Sequence, residues 1–181
     1  MIKVDDAISL ELVEEKHAET IFNLVSANKS LLSERLPWVD NADLNFIKDF
    51  INESQKRYLE KTDYAFVIIY NNTIVGRIGI YTVDNKNKIG CIGYWLDEKF
   101  QGKGIITKSC NAILNYAFSI LHLNRIEIKC GTENYKSQRI PELLNFKKEG
   151  IIRQGEIINN KFIDLSFYSL VKSEWETINR H

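Results

Sequence analysis

The segment Ile92-Gly93-Tyr94-Trp95-Leu96-Asp97-Glu98-Lys99-Phe100-Gln101-Gly102-Lys103-Gly104-Ile105-Ile106-Thr107 carries the strongest chemical signal in the chain. An apolar strand ends, a turn bearing two glycines follows, and an amphipathic helix begins. Glycines at 102 and 104 remove Cβ obstruction, so backbone N–H groups can approach a phosphate. A helix starting there aims its unsatisfied N–H groups and positive dipole end at the same point. Lys103 and Thr107 add a charge and a hydroxyl. The same residues also suit a plain strand-to-helix turn, since short glycine patterns recur by chance. Two familiar phosphate motifs fail by letter. A Walker loop needs Gly-Lys-Ser/Thr, but Gly104 follows Lys103 and Ile105 comes next; the dinucleotide fingerprint needs a glycine where Thr107 stands. A diphosphate ligand of another kind remains.

Other reactive residue types are sparse. Cys91, Cys110 and Cys130 are an odd set, spaced 19 and 20 apart, which fits neither a disulfide framework nor a zinc knuckle. Reduced, mostly buried thiols are expected. His17 and His122 have no partner at metal spacing and His181 is terminal, so surface or cap roles are expected and no metal. Asp97 and Glu98 read as solvated loop carboxylates. No Ser-His-Asp order or Cys-His pair supports covalent catalysis. The 181 residues carry 24 Lys plus Arg against 24 Asp plus Glu, and a pI near 6.8 leaves no electrostatic footprint for nucleic acid. No stretch approaches the roughly eighteen apolar residues of a membrane span. Acidic residues follow Met1 before any apolar run, unlike a signal peptide. A cytoplasmic protein without nucleic-acid or membrane partners is expected.

The elements that must position this segment follow from periodicity. Ile8 to Val13 alternates as a first strand does, and Ala18, Ile21, Phe22 and Val25 fall on one helical face. A second helix is expected from about Ala42 to Leu59. Tyr64 to Tyr70 and Thr73 to Tyr81 read as a hairpin around Asn71-Asn72, with Ile89 to Leu96 as the next strand. An apolar helical face then runs from about Gly104 to Leu121. Arg125 to Cys130, a short helix near Ser137 to Leu144, and strands over Gly150 to Ile157 and Lys161 to Val171 complete the order. Only Pro37 and Pro141 interrupt the chain, and no low-complexity segment divides it. The fold class is α+β, with a single domain over residues 1–181.

The glycine segment resembles the acetyl-CoA pyrophosphate loop of the GNAT N-acetyltransferase superfamily: Arg or Gln, two residues, Gly, one residue, then Gly or Ala. Gln101, Gly102, Lys103 and Gly104 match, whereas Ile106 departs from the general form. Gly-Lys-Gly-Ile-Ile-Thr is similar to the ribosomal-protein-serine acetyltransferase branch, which modifies protein N-termini. Gly93-Tyr94-Trp95-Leu96 resembles that branch's fourth strand and Asn124-Arg125-Ile126-Glu127 its fifth. Asn134-Tyr135-Lys136-Ser137 and Glu142 to Gly150 resemble its Asn-x-x-Ser segment and the pattern downstream, with Asn145 replacing the usual glycine. Asp164 to Leu170 is similar to the closing strand, and with Leu36-Pro37-Trp38 the similarity covers most of the chain.

The resemblance implies a mixed, mostly antiparallel seven-stranded sheet flanked by helices, with a splay between the fourth and fifth strands. It implies acetyl-CoA as co-substrate and direct acetyl transfer to a primary amine. By the same resemblance, backbone at Tyr94, Trp95 and Leu96 contacts the pantetheine arm and polarises the thioester. Gln101, Gly102, Lys103, Gly104, Ile105, Ile106 and Thr107 hold the pyrophosphate. Asn134 is the expected amide partner of the pantetheine, and Ser137 offers a hydroxyl to the departing thiolate; both residues also suit a helix cap and first turn. For the general base, Glu156 resembles a carboxylate used in part of the branch. A water chain is the alternative, because Cys91 stands where many members have a carboxylate. Trp38 either stacks on the acceptor or seals the sheet edge. The first expectation for the acceptor is a protein N-terminus. A polyamine, an aminoglycoside, a catalytically silent acyl-CoA-binding module and a nucleotide-binding protein stay open. A homodimer is a family-level expectation only.

Overall fold

The computed structural model describes residues 1–178, so His181 lies outside the described residues. Among these residues, eight strands form one sheet: β1 (Ile2–Lys3), β2 (Ile8–Leu12), β3 (Tyr64–Tyr70), β4 (Thr73–Asp84), β5 (Ile89–Leu96), β6 (Arg125–Gly131), β7 (Lys147–Ile158) and β8 (Lys161–Val171). Their spatial order is β1-β2-β3-β4-β5-β6-β8-β7. The eighth strand, β1, corrects the expected count of seven. Two residues are too few to show a period, and pairing with β2 makes them a strand.

Among the described residues, six α-helices accompany the sheet: α1 (Ala18–Ala27), α2 (Lys29–Ser33), α3 (Leu44–Leu59), α4 (Ile105–Asn115), α5 (Tyr135–Leu143) and α6 (Lys172–Ile178). Strand β3 shows why both faces need cover. Its side chains alternate, so Phe66 and Ile68 enter one buried cluster with Ile113, Leu114 and Phe118 of the α4 region. Ala65 and Val67 enter another with Ile21 of α1 and Ile47 and Ile51 of α3. Asp43 sets the start of α3 two residues later than the periodicity suggested, by accepting from the Phe46 N–H at 2.7 Å.

The hairpin turn at Asn71-Asn72 takes φ of +47° and +63°, the left-handed pair that asparagine tolerates and two-residue hairpins require. Helix α4 differs from expectation at its end. Instead of running α-helical to Leu121, it widens into a π turn over Tyr116–Ile120. The Tyr116 ring meets the edges of Tyr64 and Phe66 there.

One junction positions the site. Strands β5 and β6 are parallel and pair only through Ile89, Gly90 and Cys91 against Arg125, Ile126 and Glu127. Beyond Cys91 they part, while the far edge of β5 stays bonded to β4 as far as Gly76↔Leu96. The expected splay is therefore present, and Ile92 to Leu96 lies along it.

Candidate active site

At the outer end of β5 the chain makes a short 3-10 turn over Glu98–Phe100 and enters the glycine loop. Gly102 and Gly104 have φ of +75° and +72°, and a Cβ built on either meets nothing within 4 Å. The backbone conformation alone therefore favours glycine at both positions. Gly104 forms the N-cap of α4 without a side-chain cap. The first intrahelical bond is Lys108 N to Gly104 O, at 3.0 Å. The N–H groups of Ile105, Ile106 and Thr107 thus precede the helical ladder and remain available to an anion. The Ile105 side chain is buried in the core, so only its backbone faces this task. Lys103 Nζ lies 5.0 Å from the ring centroid of Phe100 and 5.9 Å from that of Tyr70. Lys136, which the sequence did not single out, donates to Gln101 Oε1 at 3.1 Å and brings a cation from α5 to the loop.

The start of α5 faces β5 across the splay. Asn134 Oδ1 accepts from the Ser137 N–H at 3.2 Å, so its oxygen caps the helix and its amide nitrogen is what remains for a ligand. Ser137 Oγ donates to Tyr94 Oη at 3.2 Å, and Tyr94 Oη donates to the Ser137 carbonyl at 3.0 Å. Burial pushes the Tyr94 phenol far up, so it stays protonated. The Cys130 thiol lies beside the same serine; burial pushes it up to about 11 against a lowering hydrogen bond to Ser137. Burial also raises the Cys91 thiol, which suits a packing residue. Asn145 closes α5 with φ of +60°. Asparagine takes the left-handed turn in place of the usual glycine.

On the opposite face of β5 lies a cavity of about 290 Å³, lined by Leu36, Trp38, Phe46, Phe50, Arg77 and Trp95 among others. Trp38 stacks on Phe46, with ring centroids 6.0 Å apart, and so forms a wall of this cavity. Glu156 is brought to neither of these places by a hydrogen bond among the described residues. It sits on β7 near the Asn159-Asn160 turn, and Asn159 Nδ2 donates to the Ser33 carbonyl of α2 at 3.3 Å. The hairpin therefore reaches the end of α2, three residues ahead of Leu36 in the cavity wall. Glu156 is exposed to solvent, and the partial desolvation its neighbours impose raises its carboxyl above the ordinary carboxylate value.

A family model described as Acetyltransferase (GNAT) domain matches residues 8–147. The chain belongs to the GNAT acetyltransferase family. It is 35% identical to the putative ribosomal N-acetyltransferase YdaF of Bacillus subtilis (strain 168), over 96% of each chain. It is 30% identical to the ribosomal-protein-serine acetyltransferase of Escherichia coli (strain K12), over 94% of this chain and 96% of the relative. Among solved structures, a ribosomal L7/L12 alpha-N-protein acetyltransferase in complex with coenzyme A superposes with a TM-score of 0.92 at 26% identity, covering 96% and 98% of the two chains. A microcin C7 self-immunity acetyltransferase in complex with acetyl-CoA and AMP gives 0.88 at 31% identity, covering 93% and 94%. GNAT enzymes use acetyl-CoA as co-substrate. The positive-φ loop and the open β5–β6 junction are compatible with that molecule's diphosphate and narrow arm.

Proposed function

We propose that this GNAT N-acetyltransferase moves the acetyl group of acetyl-CoA directly onto a protein N-terminal α-amino group, of the ribosomal-protein-serine kind. The observation that carries the reading is the parting of β5 from β6 immediately before a glycine loop with three uncommitted helix N–H groups. The relatives named as ribosomal-protein acetyltransferases at 35% and 30% identity support the choice of acceptor.

Acetyl-CoA supplies an activated thioester. In the proposed site, backbone along Tyr94, Trp95 and Leu96 holds the arm beside the gap and donates to the thioester oxygen as it gains charge. Gln101 to Thr107 hold the diphosphate, and the Asn134 amide nitrogen donates to the arm. The amine nitrogen bonds to the carbonyl carbon, the carbon–sulfur bond breaks, and the nitrogen loses a proton. Glu156, with its raised carboxyl, accepts that proton directly or through water. Ser137 donates to the leaving sulfur. Rotation about its Cβ–Oγ bond turns the hydroxyl from Tyr94 toward the gap, while Tyr94 Oη keeps its bond to the Ser137 carbonyl. Trp38 bounds the acceptor side.

The test is thiol release from acetyl-CoA over peptides with N-terminal serine, polyamines and aminoglycosides, with mass spectrometry of the products. Peptides acetylated at the α-amine in preference to the small amines are expected. Acetyl-CoA binding without turnover on any amine rejects the reading, and faster turnover of a small amine replaces the acceptor.

A further inference from the structure

Arg77 on β4 is 6% exposed, yet its guanidinium forms no ion pair among the described residues. Phe50 of α3 covers one face at 3.7 Å from ring centroid to Cζ. The one hydrogen bond is long, Nη2 to Tyr81 Oη at 3.4 Å. Nε is buried with no hydrogen-bond partner among the described residues. A buried guanidinium left without a counter-charge is destabilising. A second orphan donor stands next to it. Trp95, the register partner of Arg77 across β4 and β5, has its indole N–H buried and unpartnered. Both residues line the 290 Å³ cavity, together with Trp38, Phe46, Phe50, Tyr81 and Tyr94 among others.

This surplus of donors and one positive charge, set among aromatic rings, lacks a planar group that accepts hydrogen bonds and carries one negative charge. A carboxylate has that form, and the fork of an arginine matches it in a bidentate way. A phosphate, with more charge and more acceptor oxygens, finds only one cation here.

We propose that Arg77 is a specificity-determining residue that receives a carboxylate carried by the amine acceptor. The proposal rests on the acetyl-transfer reading, since the cavity adjoins the β5 backbone assigned to the thioester. The carboxylate comes either from an acidic side chain close behind the N-terminal residue of a peptide or from the α-carboxylate of a free amino acid. An acceptor with an amide at that place leaves the guanidinium unpaired and loses affinity.

The experiment compares Glu-containing and Gln-containing peptides, with the acid at the second or third position, and free amino acids with their α-amides. Each is measured for acetyl transfer and, by calorimetry on the CoA-loaded protein, for binding. Wild type is expected to favour the carboxylate member at least tenfold in kcat/KM and in binding, and the favoured pair identifies the source. Arg77→Gln is expected to erase that preference while leaving the affinity for CoA unchanged. Arg77→Lys keeps the charge without the fork and is expected to retain only part of the preference. Acetylation or binding of acid and amide members with equal efficiency by wild type overturns the proposal, whether or not either variant folds. Carboxylate-selective binding without any turnover supports it and rejects the acetyl-transfer reading instead.

Discussion

At the residue scale, the pair Ser137 and Tyr94 shows how little of a site a spacing can reveal. Ser137 stands out through Asn-x-x-Ser, but its hydroxyl partner lies 43 residues away on a different element. Removing the hydroxyl in Ser137→Ala is expected to lower kcat by about 100-fold with little change in acetyl-CoA KM, the usual loss of a positioned proton donor. An unchanged maximal rate removes its assigned role. Tyr94→Phe breaks the hold on the serine carbonyl and is expected to cost less. For Glu156 the sign follows from its raised carboxyl. A base is active when ionised, so activity falls on the acid side as pH drops through a value above the ordinary carboxylate range. In Glu156→Gln the rate is expected to fall and that acid limb to disappear; an identical pH–rate profile places the base elsewhere. Arg77 had no sequence signal, because one arginine within a strand is legible only once its missing partner can be seen.

Among the elements, the loop before α4 and the β6–β7–β8 edge each carry a test. Ala at Gly104 must adopt φ of +72°, which costs an L-residue about 1 kcal/mol or more. Gly104→Ala is expected to weaken CoA binding several-fold and to lower Tm, read by calorimetry and thermal melting. At the sheet edge, Arg125 of β6 donates to both carboxylate oxygens of Glu149 on β7, at 2.7 and 2.8 Å, and Ser169 of β8 donates to the same carboxylate. Arg125 and Ser169 hold that carboxyl down to about 2, against an ordinary 4.5. The folded state therefore binds its proton less readily than the unfolded chain does. The stabilisation is complete above about pH 4.5 and drains away as pH falls toward 2. Wild type and Glu149→Gln are expected to differ in urea midpoint near pH 7 and to converge near pH 2. Convergence at neutral pH would show the pair to be idle.

For the whole molecule, two buried clusters on opposite faces of one sheet hold the site between them. Ile51 of α3 is fully buried against the face that bears the cavity. Ile51→Ala is expected to destabilise by about 2–5 kcal/mol, measured by denaturant unfolding. Alternation, helical faces, asparagine turns and the glycine loop are local properties, so the sequence determined most elements, the α+β class and the candidate diphosphate loop. Its limits were also local: β1 is too short to show a period, and the π turn at Tyr116 brings its ring against Tyr64 on a distant strand, a contact no local pattern shows. Where β5 leaves β6, which hydroxyl meets Ser137 and why Arg77 is buried without a counter-charge were decided only by the tertiary structure. Each depends on groups from separate parts of the chain arriving at one place, and that proximity is set by packing the two cores rather than by any interval along the sequence.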